Sequence, residues 1–498
     1  MSHKTNQKND GESDGCVVPT KCLNEGGEPT EEGMEGRQPT KENIEQTTSP
    51  RTQSRNSESS GLGGVREVAQ REKRRRFTAL LHHVTVKLLR DSYYALKREA
   101  APGVDGVTWE EYETGLETRL EELHGRVHRG TYRAQPSKRA YIPKADGRRR
   151  PLGIAALEDK IVQQAVVTIL NQIYEEDFKG FSYGFRPKRS QHDGLDALWV
   201  GIMRKKVNWV LDADIRGFFD AIDHGWMMKF VEHRIADRRI LRLIRKWLRA
   251  GVSEEGKWTK TEVGTPQGAV ASPLLANVYL HYSFDLWIEH WRKHCATGDV
   301  IVVRYADDIV VGFEHRHEAE RFLQEWRERM EKFGLELHPD KTRLIEFGRE
   351  AAENRKRRGE GKPEVFDFLG FTHICGKTRK TGRFIVKRKT IRKRLTRKLK
   401  ELKEELRRRW HEPVADTGRW LRKVVQGYFN YHAVPGNMES LNSFRAQVIW
   451  RWRRALRRRS QRSRMTWERY WRIVDRWIPS AKILHPHPNV RFDAKHPR

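Results

Sequence analysis

The sequence predicts a sheet domain of the α/β or α+β type, with a polar tail before it and a basic helical region after it. Three observations carry this reading. Between residues 77 and 375, short apolar runs that read as strands alternate with amphipathic helical stretches. From Gly376 to Arg498 the chain holds 36 basic and 9 acidic residues, a net of +27 out of +31 for the whole chain. Residues 1–76 contain no Phe, Trp or Tyr and are rich in Gly, Ser, Thr, Glu and Asn. Such a segment buries too little apolar surface to offset its ordering entropy, so it is expected to be disordered.

The expected tail ends in the basic run REKRRR (71–76), which could serve as an RNA-contacting arm. RAYIPKADGRRRPLGI (139–154) reads as a β-hairpin around Asp-Gly, with basic residues at its turn. LEDKIVQQAVVTILNQIYEEDF (157–178) places Ile161, Ala165, Ile169 and Ile173 on one helical face. VNWVLDADIRGFFDAID (207–223) is a strand running into a turn, and VIVVRYADDIVVGF (300–313) is two short strands. EAERFLQEWRERMEKFG (318–334) is an amphipathic helix stopped by glycine. Farther on, Ile391, Leu395, Leu399, Leu402 and Leu406 form a helical seam among Arg and Lys. The tryptophans from Trp410 to Trp477 fit helix packing, with a few free to stack on bases or on arginine.

Charge this concentrated, with too few local acids to pair it, points to a polyanion, and first to nucleic acid. The four cysteines make no zinc-like pairs and no disulfide framework. There is no apolar run of membrane-spanning length, no secretory pattern, and too much acid near the start for a mitochondrial transit peptide. A reducing, cytosolic setting without membrane partners is the expectation.

RYADDIVVGF (304–313) sets Asp307 and Asp308 side by side within a buried-looking run. Two adjacent carboxylates repel each other and are costly to bury. A hairpin with its turn at this point breaks the strand alternation and lets both approach one spot, where a divalent cation removes the cost. Oxygen ligands without Cys or His favour Mg²⁺, or Mn²⁺ in its place, over zinc. VLDADIRGFFD offers a third carboxylate from Asp212, Asp214 or Asp220. Three carboxylates with phosphate oxygens suffice for a two-metal site that activates a 3′-hydroxyl and stabilises a displaced phosphoryl group. Solvated turn residues at Asp212 or Asp220, and a turn cap at Asp308, are the bland alternatives.

The companions of this stretch occur in a definite order: YIPKADGRRRPLGI, FSYGFRPKRSQHDGLDAL, VLDADIRGFFDAIDH, GTPQGAVASPLLANVYL, RYADDIVVGF, GLELHPDKTRLIEFG and FDFLGFTH, with GYFNYHAVPGN (427–437) and ILHPHP (483–488) later. Together they resemble the group II intron-encoded reverse transcriptase/maturase family, over nearly everything after residue 77. With no Cys/His cluster after ILHPHP, the chain resembles the compact, endonuclease-lacking bacterial subgroup.

The resemblance implies an α+β right-hand polymerase. Fingers (77–206) and palm (207–375) with antiparallel sheet would precede a helical thumb/maturase domain (376–498). It implies Asp214, Asp307 and Asp308 as catalytic metal ligands, with the Ile215 carbonyl beside them. Asp214 is preferred to Asp212 because Phe219, five residues on, then falls where the family has an aromatic gate. That ring would collide with a ribose 2′-hydroxyl and so favour dNTPs. Lys144 and Arg150 match residues that grip the incoming triphosphate, and point charge and guanidinium fork both suit that task. Gln267 and Gly268 match a loop against nucleotide and template. Lys341 matches a lysine that protonates the leaving pyrophosphate, and Arg186 one that helps shape the template or nucleotide site. The implied activity is RNA-directed DNA polymerisation with two Mg²⁺, on an RNA template with a DNA primer. The implied partners are group II intron RNA, whose splicing the protein would assist, and target DNA, in a bacterial cytoplasmic ribonucleoprotein. The competing expectations are a splicing-only maturase and a reverse transcriptase of a retron or CRISPR-associated lineage.

Overall fold

In the computed structural model, residues 56–143, 149–254, 257–259, 263–265, 268–459 and 465–496 are described. The order begins α1 (Asn56–Arg71), α2 (Val86–Ala95), α3 (Trp109–Glu113), α4 (Leu116–Arg129), β1 (Ser137–Pro143), β2 (Arg149–Ile154), α5 (Leu157–Asp177) and α6 (Gln191–Arg204). It continues β3 (Trp209–Ala213), α7 (Phe218–Ala221), α8 (His224–Arg234), α9 (Arg238–Arg249), β4 (Val252–Glu254), β5 (Lys257–Thr259), α10 (Ser272–Leu280) and α11 (Leu286–His294). A single π turn, His281–Asp285, joins α10 to α11. Then come β6 (Val300–Tyr305), β7 (Asp308–Phe313), α12 (Arg316–Lys332), β8 (Arg343–Glu346), α13 (Ala351–Arg357), β9 (Phe366–Phe368), β10 (Phe371–Lys377) and β11 (Phe384–Thr390). The chain closes with α14 (Arg392–Arg408), α15 (Val414–His432), α16 (Met438–Arg457), α17 (Trp467–Trp477) and α18 (Pro488–Lys495). The fold is mixed α+β.

α1 lies inside the segment expected to be a disordered tail over residues 1–76, and it corrects that boundary. Composition hid a short apolar stripe: Val65 and Ala69 are buried, with Leu62 and Val68 packed against the same core as α5. The basic run that follows is stapled down. Arg66 pairs with Glu176 at 2.7 Å and Lys73 donates to the Glu176 carbonyl at 2.7 Å. The buried Arg234 guanidinium lies 3.0 Å from Asp177 and donates to the carbonyls of Glu72 and Lys73.

The helix expected over 157–178 is α5, and all four positions of its expected face are buried. Val162, Val166, Leu170 and Tyr174 are buried too, so this helix is enclosed on more than one side. The expected hairpin is β1–β2, antiparallel from Lys138↔Ile154 to Pro143↔Arg149. Its sheet runs β2-β1-β4-β5, and β1 pairs β4 in parallel, so antiparallel pairing is not complete there.

The sheet that positions the aspartates runs β6-β7-β3-β8 and is antiparallel throughout. Val210, Leu211, Ile309, Val310 and Val311 are buried in it, and α6 and α12 pack on its strands. A third sheet, β11-β10-β9, follows. The boundary expected at Gly376 falls inside β10, and the basic region therefore begins with strands; its helices start at Arg392. Leu399, Leu402 and Leu406 of the expected seam are buried against α15, α16 and α17, with Trp452 at the centre.

ILHPHP has a structural role. His485 stacks on buried His192 at 3.8 Å and His487 meets Trp199 edge-on. α18 then returns to α6 through Arg204–Asp493 (2.7 Å), Lys495–Asp193 (2.6 Å) and Arg491–Asp196 (3.2 Å). Asp196 also holds buried Arg388 of β11 at 2.8 Å. The last helix is thereby tied to the first half of the chain. Removing Asp196 leaves Arg388 buried without its carboxylate. Asp196→Ala is expected to lower unfolding stability by about 3–5 kcal/mol in urea titration; a loss below about 1 kcal/mol would contradict this placement.

Candidate active site

β3 and β7 run antiparallel with Ala213↔Ile309 as their last pair, so the next residues on the two strands are Asp214 and Asp308. β6 and β7 form a hairpin with Tyr305↔Asp308 as its last pair. Ala306 and Asp307 make its two-residue turn. Asp307 and Asp308 thus sit at the hairpin tip, beside the end of the strand that carries Asp214. After Asp214 the chain turns at Gly217 (φ 52°) into the one-turn helix α7. Asp214 and Asp212 share a strand face. They differ in surroundings: burial pushes Asp212 up to about 7, and its cation, Arg343, is 3.9 Å away.

Ala306 has φ +56° although it is not glycine, and its neighbours over-determine the turn. Arg304, fully buried, makes a bidentate pair with Asp285 (2.8 and 2.6 Å). The same guanidinium donates to Asn277 Oδ1 at 2.9 Å and to the Ala306 carbonyl at 3.1 Å. Asn277 Nδ2 donates to the Gly184 carbonyl at 2.8 Å. The loop around Gly184 straps the hairpin: Arg304 N–H donates to Phe181 O and Tyr183 N–H to Arg304 O. A Cβ on Gly184 would collide with the Ala306 nitrogen and approach the Tyr305 carbonyl carbon to 2.9 Å.

Lys341 Nζ lies 3.0 Å from Asp214 Oδ2, in a turn whose His338 N–H donates to the Asp214 carbonyl at 2.8 Å. Arg216 N–H donates to Glu336 O, so this bridge leaves the intervening Ile215 carbonyl out of its hydrogen bonding. Phe219 is 9% exposed, packed edge-on against the more deeply buried Phe218. Its carbonyl accepts from Thr265 N–H at 2.8 Å. Gly268 has φ +109°, and a Cβ there would come within 3.0 Å of Gly153 O in β2. Both constraints favour glycine. Lys144 and Gln267 lie outside the described residues; Arg150 is placed by its backbone in β2.

Arg186 does not reach into this space. It is buried, pairs with Glu175 at 3.0 Å and donates to the carbonyls of Lys179 (2.7 Å) and Ser182 (2.9 Å). These bonds hold the loop that carries Gly184. The later segment also arrives here. Tyr431 donates to Leu369 O at 2.7 Å; burial pushes its phenol up, and Asp308 adds to that.

Among the described residues, no group of three or more His, Cys, Asp and Glu is gathered closely enough to hold a metal ion alone. Asp214, Asp307, Asp308 and the Ile215 carbonyl fit a hard cation by donor type, with the remaining ligands to come from phosphate. Arg304, Asp285, Asn277 and Gly184 were not singled out from sequence. The signal was present in Arg304 and Asp285, each a lone charge within an apolar stretch, which implies a buried partner.

The class is defined by the family profile of reverse transcriptase (RNA-dependent DNA polymerase), which matches residues 142–373. Protein YkfC of Escherichia coli is 35% identical over 298 residues, 52% of this chain and 78% of that protein. Group II intron-encoded protein LtrA of Lactococcus lactis subsp. cremoris is 42% identical over 168 residues, 33% of this chain and 27% of LtrA. Nuclear intron maturase 2, mitochondrial, of Arabidopsis thaliana is 25% identical over 235 residues, 39% of this chain and 30% of that protein. The chain belongs to the reverse transcriptase family, and over part of its length it is similar to a group II intron-encoded protein and to an intron maturase. The matches span under a third of LtrA and of the plant maturase.

Gly184→Ala forces the aspartate turn away from its strap without touching a reacting group. Single-nucleotide incorporation on a primed RNA template is expected to fall about a hundredfold, with thermal unfolding still cooperative. An unchanged rate would show that the strap does not set the turn.

Proposed function

We propose that the protein is an RNA-directed DNA polymerase that binds its group II intron RNA, assists its splicing and copies it into DNA. The observation that carries this is the placement of Asp214 and of Asp307–Asp308 at neighbouring strand ends, in a chain whose last quarter is strongly basic. In this reading the β6-β7-β3-β8 sheet is the palm, the β2-β1-β4-β5 sheet belongs to the fingers, and α14–α17 form the thumb.

Mg²⁺ held by the three carboxylates and the Ile215 carbonyl would supply Lewis acidity at the 3′-hydroxyl and the triphosphate. The chain's own residues do the rest. Phe219 presents a wall to the sugar and disfavours a 2′-hydroxyl. Lys144 and Arg150 grip the triphosphate. Gln267 and Gly268 lie against the nucleotide, with Gly268 permitting close backbone approach. Lys341, whose Nζ lies 3.0 Å from Asp214 Oδ2, would give its proton to the leaving pyrophosphate. The basic region supplies phosphate contacts, so RNA affinity falls steeply with salt. The template is RNA and the primer DNA. Intron RNA and target DNA are the partners, and a bacterial cytoplasmic ribonucleoprotein is the setting. Among the described residues no helix is long and apolar enough to cross a membrane.

The test is oligo(dT) extension on poly(rA). The folded protein is expected to make cDNA only with Mg²⁺ or Mn²⁺. Asp307→Ala is expected to lose about a hundred- to a thousandfold in rate while binding intron RNA as the parent does. Absence of metal-dependent cDNA from the folded parent would overturn the polymerase reading. Parallel loss of RNA binding in Asp307→Ala would overturn the separation of the two functions.

A further inference from the structure

The outer side of α16 and α17 exposes tryptophan to a degree that packing does not explain. Trp450, Trp467 and Trp471 are 54%, 50% and 43% exposed, whereas Trp452 of the same helix pair is fully buried. Neighbouring arginines of α16 reach all but Trp471 directly. Trp467 and Trp471 stack at 25° with centroids 6.3 Å apart. The Arg453 guanidinium lies 3.5 Å over the Trp467 ring. Arg454 lies 5.4 Å from the centroid of Trp450. Arg453 and Arg454 follow Trp450 by three and four residues, one helical turn on, and so connect it to the Trp467–Trp471 pair. The two helices carry eight arginines and three acids. One acid, Glu439, is paired with Lys389; the others, Glu468 and Asp475, are exposed on α17.

We propose that this tryptophan–arginine ladder is a stacking platform for the unpaired bases of an RNA strand. Exposed indoles on this scale mark an interaction surface. The interleaved guanidiniums select its occupant. An apolar protein face or an acyl chain would bury these cations without compensation. A nucleic-acid strand neutralises them with phosphate and offers base faces to the indoles. A duplex has its base faces already stacked, so the surface fits single-stranded RNA. The proposal rests on the reading of the chain as an RNA-binding polymerase and deepens it, by naming a surface away from the aspartates and the form of RNA it takes.

The experiment uses the full chain with its polymerase cleft filled by unlabelled primer–template. A labelled single-stranded RNA of about 12 nucleotides is then titrated by fluorescence anisotropy. Trp467→Ala with Trp471→Ala is expected to weaken this binding about tenfold, while Trp→Phe at both positions restores most of it. A blunt RNA duplex of the same length is expected to bind alike to all three proteins. Unchanged single-strand affinity in the alanine variant would overturn the platform. So would equal weakening of single strand and duplex. So would a parent dimer, seen by sedimentation, that the alanine variant loses without change in RNA affinity. If the parent extends no primer and binds no RNA, both the platform and the polymerase reading fall; extension without platform binding removes the platform alone.

Discussion

The geometry of the candidate active site depends on one buried ion pair, Arg304 with Asp285. Two charges removed from water cost several kcal/mol each before their attraction repays it. The repayment requires good geometry and full hydrogen bonding, and both are present: a bidentate pair, with the spare guanidinium donors on Asn277 and on the Ala306 carbonyl. That last bond runs to the turn that carries Asp307. Asp285 closes a π turn between α10 and α11, and such wide turns are frequent at functional sites. Here the wide turn belongs to the helix that brings both Asn277 and Asp285 to Arg304.

From this pair outward, each layer holds the next. Asn277 fixes the Gly184 loop, the loop straps β6, and Arg186 with Glu175 holds the loop from the other side. The C-terminal part reaches the same region twice. Tyr431 packs on the Leu369–Gly370 turn, and α18 returns to α6 through three ion pairs around Asp193, Asp196 and Arg204. α6 in turn packs on β6, so these contacts tie the C-terminal part to the sheet that bears the aspartates.

Much of this was legible in sequence because its signals are local. β6 and β7 are apolar runs either side of the aspartates, α5 has a strict helical period, and α14 has a leucine seam. The parts that were not legible depend on distant partners. Arg304 finds Asp285 and Asn277 across a turn of helix that sequence spacing does not reveal. The parallel pairing of β1 with β4 joins residues more than a hundred positions apart. α1 was masked by its Gly and Ser, which obscure a stripe as short as Val65, Val68 and Ala69. The partners of Arg186 in GFRP were not legible either: its donors are taken up by Glu175, Lys179 and Ser182. The choice of Asp214 over Asp212 rested on counting to Phe219, whose ring lies in the core margin beside Phe218.

The most direct measurement is the rate of single-nucleotide incorporation by Asp285→Asn, with its affinity for primer–template determined in parallel. Asparagine keeps the shape and one acceptor but removes the charge that fixes Arg304. The account predicts that kcat falls about a hundredfold, because the carboxylates are displaced while the surfaces that hold nucleic acid are not. Affinity for primer–template should stay within about twofold. A folded Asp285→Asn protein with the parent's kcat would contradict the claim that this pair positions the aspartate turn.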